Sequence, residues 1–282
     1  MNNHLQGRVA FVTGGSKGIG RAISLGLARA GARVALTGRS EEDGPGTARE
    51  TARQIEQEGG TALALSCDVR DALAVEAAID QAARTFGRLD ILMNNAGLYF
   101  PGFDATDIEL DRWRETIDTH INGSFLCARF AARHMAASGG GSIINMSSTG
   151  GDAGYDSMGN VAYAVAKAGI EQFTRGLAKE LLVSNIAVNA IRPMALLSDG
   201  SRQNADWLTR YRARSGAKEV RQGLPDEERM QQFAASSTIV PAIVHLAQCR
   251  SEFTGNVVRR TDFGGDRFQA LVWRGRAGSE LN

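Results

Sequence analysis

Cysteine is scarce in this chain: there are three in 282 residues, Cys67, Cys127 and Cys249, odd in number and far apart. No disulfide framework and no C-x-x-C motif can be built from them, so buried thiols are the expectation. The four histidines, His4, His120, His134 and His245, form no HExxH-like cluster, and no metal site is predicted. Long hydrophobic runs are missing too. No stretch of about eighteen uncharged apolar residues suggests a membrane span, and residues 1–7 are polar and lack the apolar core of a signal peptide. A cytoplasmic protein with no membrane partner is the expectation. Charge of one sign is also lacking: a net +1 gives no electrostatic case for nucleic acid or an anionic membrane. Apolar residues, at 43%, suffice for a large core, and the length is read as one α/β domain over 1–282.

Glycine is plentiful, and its placement carries information. Arg8–Thr13 reads as a buried strand and is followed by Thr13-Gly14-Gly15-Ser16-Lys17-Gly18-Ile19-Gly20. A helix from about Arg21 to Ala30 and a strand over Val34–Thr37 complete a βαβ unit, whose crossover should be right-handed and whose sheet should be parallel. Side chains in that turn would keep a pyrophosphate off the backbone, whereas the free N–H groups and dipole of a helix start attract it. In this strand-to-helix context a glycine turn indicates nucleotide binding. The second strand ends Thr37-Gly38-Arg39-Ser40, without the acidic residue that would hold the ribose 2′-hydroxyl of NAD. Lys17 and Arg39 offer a 2′-phosphate two cations, which favours NADP; as merely solvated charges they would mean nothing of the kind.

Helices are predicted over 47–58 and 72–86, the second with a Leu73, Val75, Ile79 stripe suited to packing. Cys67-Asp68-Val69 ends the third strand, where ligands of open α/β sheets gather. Asp68 there either meets an adenine amino group or caps the helix beginning near Asp71. A fourth strand over 89–93 opens into Asn94-Asn95-Ala96-Gly97, small residues beside which a cofactor can lie close, although asparagines also stabilise turns. Trp113–Met135 reads as one long helix with Ile117, Ile121, Phe125, Cys127, Ala128 and Ala131 suited to burial, and part of it is assigned to a homo-oligomer interface. Strands over 142–146 and 186–191 flank a helix that runs from the Tyr163 region to about Val183.

Ser148, Tyr163 and Lys167 carry the chemistry. Four residues apart on a helix, Tyr163 and Lys167 lie one above the other. A phenol with a pKa of about 10 is a poor acid or base near neutrality unless a cation stabilises its phenolate. With a serine hydroxyl holding a carbonyl oxygen beside it, that phenol would donate a proton as hydride reaches the carbon. Tyr and Lys at this spacing also occur on ordinary solvated helices, so the pair gains meaning from the glycine turn upstream.

These residues resemble those of the short-chain dehydrogenase/reductases. Thr13 to Gly20 is similar to that family's TGxxxGxG turn, Asn94 to Gly97 to its NNAG, and Tyr163 to Lys167 to its YxxxK, and the likeness covers about Arg8 to Gly265. The resemblance implies a Rossmann-like doubly wound parallel sheet of about seven strands with helices on both faces. It implies an NAD(P)-dependent oxidoreductase acting on a small-molecule carbonyl or alcohol, assembled as a tetramer or dimer. Tyr163 would be the acid/base, Lys167 its activator and the holder of the nicotinamide ribose, and Ser148, rather than Ser147, the carbonyl orienter. Gly14, Ser16, Lys17, Gly18, Ile19, Gly20, Arg39, Asp68, Val69, Asn95, Ala96, Gly97, Pro193 and Ser198 would line the cofactor, NADP in preference to NAD.

Four departures stand out. His120 replaces the relay asparagine of the long helix, as in some hydroxyacyl-CoA dehydrogenases, and either carries the relay in altered form or is structural. Ser148 and Tyr163 are two residues further apart than usual. Pro193-Met194 replaces Pro-Gly, with Ser198 in place of threonine. Arg259 and Arg260 replace apolar residues and would serve a subunit contact or an acidic substrate group. Residues 194–240, read as a substrate-covering lid, are rich in arginine and suit either an anionic substrate, such as an acyl thioester or a carboxylate, or a solvated helical face; 266–282 form a tail. An NAD-linked enzyme, with Arg39 stacking on adenine, and a non-catalytic dinucleotide-binding scaffold are the rivals.

Overall fold

A computed structural model describes residues 4–40, 42–152, 159–193, 196–197 and 234–263. The principal strands are β1 (Val9–Val12), β2 (Arg33–Gly38), β3 (Ala62–Ser66), β4 (Ile91–Asn94), β5 (Gly141–Met146) and β6 (Ile186–Arg192). Two short strands, β7 (Leu196–Leu197) and β8 (Ala234–Ala235), pair with each other, and β9 (Val257–Arg259) completes the main sheet. The helices are α1 (Gly18–Arg29), α2 (Ala48–Gln57), α3 (Ala72–Phe86), α4 (Leu110–Ile117), α5 (Gly123–Ala137), α6 (Val161–Glu180) and α7 (Val240–Leu246).

Seven strands lie in the order β3-β2-β1-β4-β5-β6-β9, and every neighbouring pair is parallel. Parallel strands are covered on both faces, and the near-continuous burial of β1, β4 and β5 follows from that. Side chains alternate across β1: Val9 and Phe11 pack with Val75 and Ile79 of α3 and Ala131 of α5, while Ala10 and Val12 pack with Ile23 and Leu27 of α1 and Ile243 of α7. The chain works outward from β1 to β3, then returns to β4 on the other side of β1. That reversal opens a crevice above the carboxyl ends of β1 and β4, the usual ligand position in such sheets.

Local chemistry sets the helix ends. Asp71 Oδ1 accepts the N–H groups of Leu73 (2.9 Å) and Ala74 (3.2 Å), and Gly87 ends α3 in the left-handed region at φ 78°. Asp68 therefore does not cap this helix. Leu73 does not join the packing stripe either: in the first turn of α3 it points to solvent, 78% exposed, and Val75 and Ile79 alone are buried. Helix α1 begins at Gly18 rather than Arg21, inside the glycine turn.

The long helix predicted over 113–135 is three pieces, because a π-helical turn, Asp118–Asn122, joins α4 to α5. Cys127, Ala128 and Ala131 are buried as expected, with Phe130 and Met135 beside them, and the segment comes close to the sheet at its start: a Cβ on Gly123 would stand 2.8 Å from Val69 Cγ2. Ile121 packs on Gly169 of α6, and Phe125 is exposed, against the pattern read from the sequence. Helix α6 ends at Glu180; Leu182–Ser184 form a 3-10 turn in which Val183 is 93% exposed.

Candidate active site

A cleft of about 270 Å³ lies at the reversal point. Gly14, Ser16, Lys17, Gly18, Ile19 and Gly20 line it from the β1–α1 turn, Arg39 from the end of β2, Asp68, Val69 and Arg70 from beyond β3, and Asn95, Ala96 and Gly97 from beyond β4. Gly18 has φ 55°, and a Cβ on Gly20 would stand 2.0 Å from the Gly14 carbonyl oxygen, so neither position tolerates a side chain. Lys17 precedes α1 in extended conformation with no side-chain cap, and the first turn holds no acidic residue. The first N–H groups of the helix therefore have no carboxylate competing with an incoming anion. This cradle fits a dinucleotide.

Thr13 ties the two halves of the cleft. Its hydroxyl accepts the N–H groups of Asn95 (2.9 Å) and Ala96 (3.0 Å), while Asn95 Nδ2 donates back to the carbonyls of Thr13 (2.9 Å) and Gly14 (3.1 Å). Asn94 faces the other way, buried, with its Nδ2 donating to Asn145 Oδ1. At the far end, Arg70 Nε donates to Asp68 Oδ1 at 2.9 Å, and Arg70 Nη1 to Glu115 Oε1 at 2.8 Å. Hydrogen bonding from Arg70 holds the Asp68 carboxyl below the usual range, against some desolvation, and the Arg39 charge adds to the effect. The charged lining is thus Lys17, Arg39 and Arg70 against Asp68. Arg70 was not anticipated; its spacing two residues from Asp68, on the loop after a strand, was the available signal.

The residues expected to handle the proton lie next to this cleft. Ser148, just past β5, accepts the Gly150 N–H at 3.2 Å and begins a 3-10 turn, Thr149–Gly151. Serine and phenol meet across Gly150: a Cβ built there would stand 3.3 Å from the Tyr163 ring and 3.7 Å from Ser148 Oγ. Ser147 turns away and donates to Glu171 Oε1 at 2.7 Å. Tyr163, in the first turn of α6, is half-buried between Tyr99 (centroids 4.9 Å, edge-on) and His120 (5.5 Å, edge-on). Tyr99, unforeseen, also accepts Asn160 Nδ2 at 3.4 Å.

Lys167 Nζ is 5.3 Å from the Tyr163 ring centroid and donates to the Met146 carbonyl at 2.7 Å. Burial pushes its pKa down to about 7. His120, in the π turn, is buried with Nε2 2.8 Å from the Leu98 carbonyl oxygen. Desolvation first, and then the Lys167 charge, push it down to about 3, so it is a neutral imidazole at physiological pH. It also touches the cleft: a Cβ on Gly97 would stand 2.5 Å from His120 Cε1.

Pro193 is buried after β6, its carbonyl accepting Arg260 Nε at 3.1 Å. Ser198, most of the 194–240 lid and the 266–282 tail lie outside the described residues. Both unexpected arginines have partners within the chain: Arg260 Nη1 donates to Thr238 Oγ1 at 3.1 Å, and Arg259 stands 3.7 Å from Asp152. Cys67, Cys127 and Cys249 are free and buried.

A parallel sheet reversing beside an uncapped glycine turn, next to a serine, a tyrosine and a lysine, defines the class of Rossmann-like dinucleotide-binding enzymes. Residues 8–209 match the family model for short chain dehydrogenase, and the chain belongs to that family, whose members bind NAD(P) and act on alcohol and carbonyl groups. It is 39% identical over 186 residues to the cis-4-hydroxycyclohexanecarboxylate dehydrogenase of Sinomonas cyclohexanicum, covering 66% of this chain and 72% of that one. To a 3-oxoacyl-acyl-carrier-protein reductase of Staphylococcus aureus it is 35% identical over 199 residues, covering 71% and 78%. Among solved structures, one from Beutenbergia cavernae, assigned as an NAD(P)-dependent gluconate 5-dehydrogenase with NADP at low occupancy, superposes with a TM-score of 0.75 at 30% identity, covering 92% of this chain and 97% of that one.

Proposed function

We propose that this enzyme is an NADP-preferring oxidoreductase that moves hydride between the nicotinamide and a carbonyl or secondary alcohol. The observation that carries the reading is the convergence beside the glycine cleft of Ser148 and Tyr163 about Gly150, with Lys167 Nζ 5.3 Å from the phenol ring. The cofactor, when bound, supplies or accepts the hydride; Gly14, Ser16, Gly18, Ile19, Gly20, Val69, Asn95, Ala96 and Gly97 would hold it, with Tyr163 and Lys167 at its nicotinamide end. In this proposal Ser148 orients the carbonyl oxygen and Tyr163 Oη donates the proton to it, or takes it from the alcohol. The buried Lys167 ammonium, 5.3 Å from the phenol ring, stabilises the phenolate electrostatically. His120, being neutral, serves by hydrogen bonding rather than as a cation.

The preference for NADP rests on the cation excess at the end of the cleft: Lys17, Arg39 and Arg70 outnumber Asp68, which Arg70 already neutralises. Assembly as a homo-oligomer, tetramer or dimer, in the cytoplasm belongs to the same proposal. Exposed Phe125 on α5 and Val165 on α6 support the contact. No helix among the described residues is long and apolar enough to cross a membrane.

The test has two arms. Tyr163→Phe should lower kcat roughly a hundredfold or more while cofactor affinity stays at the parental level; a variant that keeps most of its rate would remove Tyr163 as the acid. Fluorescence titration should show NADPH binding more tightly than NADH, and Arg39→Asp should weaken NADPH roughly tenfold or more. Equal affinities in parent and variant would defeat the cofactor assignment.

A further inference from the structure

Ser148 opens a loop that bends away from the sheet, and its hydroxyl can serve the phenol only if that bend is held in place. Both ends of the bend lead to one buried carboxylate, Glu171, one helical turn beyond Lys167 on α6 and only 3% exposed. Upstream, Ser147 Oγ donates to Glu171 Oε1 at 2.7 Å. Downstream, Gly151 lies so close that a Cβ there would stand 2.9 Å from Glu171 Oε1 and 2.9 Å from the Lys167 carbonyl oxygen. The same carboxylate receives Arg192, at the end of β6, through Nε at 2.6 Å and Nη2 at 2.7 Å. Arg192 Nη1 then continues to Asp152, the residue just past the turn, toward which Arg259 of β9 also reaches.

A buried ion pair of this kind is weak evidence for stability, because desolvating two charges offsets most of their attraction. What it does supply is geometry: a planar guanidinium forked on a carboxylate fixes distance and angle at once. We infer that Glu171 and Arg192 are positioning residues for the reaction, clamping the Ser147–Asp152 turn from both sides and so setting where Ser148 Oγ stands relative to Tyr163. The inference rests on the role proposed above for Ser148. Neither residue of the pair touches reacting atoms; both act through that hydroxyl, and misplacement by about 1 Å is enough to matter at a reacting centre.

A double-mutant cycle tests it. Glu171→Gln and Ser147→Ala are each made in the parental enzyme and in Ser148→Ala, and kcat, KM for a carbonyl the parent reduces, NADPH affinity and melting temperature are measured. Glu171→Gln should lower kcat roughly tenfold or more with NADPH affinity unchanged, and should cost nothing further in the Ser148→Ala background, because the group it positions is already gone. Ser147→Ala deletes one hydroxyl and should show the same dependence with a smaller loss, which keeps the test open if the Gln variant does not fold. Equal fold-losses in both backgrounds, or parental kcat in both single variants, would overturn the inference while leaving the hydride-transfer reading intact. A parent that binds NADPH yet reduces no carbonyl would instead defeat that reading, and this inference with it.

Discussion

Burial of Lys167 reaches furthest among the single residues. An ammonium whose one hydrogen bond among the described residues goes to a carbonyl, at Met146, is poorly compensated for lost water, and its pKa of about 7 in the folded chain lies below its ordinary 10.5. The sign follows: between those values the unfolded chain binds the extra proton and the folded chain does not, so cofactor-free protein gains stability as pH rises from 7, by up to about 1.4 kcal/mol per unit. Melting curves from pH 7 to 9 should therefore climb in the parent relative to Lys167→Met; parallel curves would show that the ammonium is better solvated than its surroundings indicate. The spacing of Tyr163 and Lys167 was legible in the sequence, but this cost was not, because burial belongs to the packing of α6 against β5. His120 is similar. Its identity was visible at once, whereas its neutrality follows from desolvation inside a π turn that no residue pattern announces.

At the scale of elements, capping decides what hydrophobic pattern leaves open. Two aspartates, Asp68 and Asp71, precede α3, and only the second accepts the first N–H groups of the helix; the first is taken by Arg70. Asp71→Ala should cost about 1 kcal/mol of stability with little effect on cofactor affinity, read as a lower urea midpoint at unchanged m-value. Asp68→Asn should leave the midpoint nearly unmoved and, by removing the carboxylate that offsets Lys17, Arg39 and Arg70, tighten NADPH binding. If both variants changed the same quantity, the division of roles between them would be wrong. The α4–α5 segment teaches the opposite lesson. Of the stripe expected there, Cys127, Ala128 and Ala131 are buried, whereas the π turn that brings Gly123 close to Val69 shifts the register and leaves Phe125 outside.

Across the whole molecule, the end of the sheet opposite the cleft is tied by a single carboxylate. Asp90, fully buried before β4, accepts the Val9 N–H at 3.0 Å, Arg8 Nη1 at 3.0 Å and Arg88 Nε at 2.8 Å. Burial, the largest single influence, pushes its carboxyl up, but hydrogen bonds from Arg88, Val9 and Arg8 together outweigh it and leave the pKa below the usual range. A depressed carboxyl contributes stability above its unfolded pKa and loses it as pH falls through the folded one. Asp90→Asn should therefore lower the melting temperature at pH 7 and flatten the acid limb below about pH 4. An unchanged acid limb would place the acid-sensitive group elsewhere.

Strand, glycine turn, helix and strand, repeated with strand ends rich in small residues, already specify a parallel doubly wound sheet, the place of the dinucleotide cleft and the serine, tyrosine and lysine beside it. Those features are local: backbone periodicity and the missing side chains of Gly18 and Gly20 act within a few residues. The long-range charge pairings were decided by the assembled fold alone. Arg70 on Glu115, Glu171 on Arg192, and Arg259 and Arg260 on partners far along the chain join segments that meet only once the sheet has formed. Whether a charge is solvated, paired or desolvated depends on that meeting.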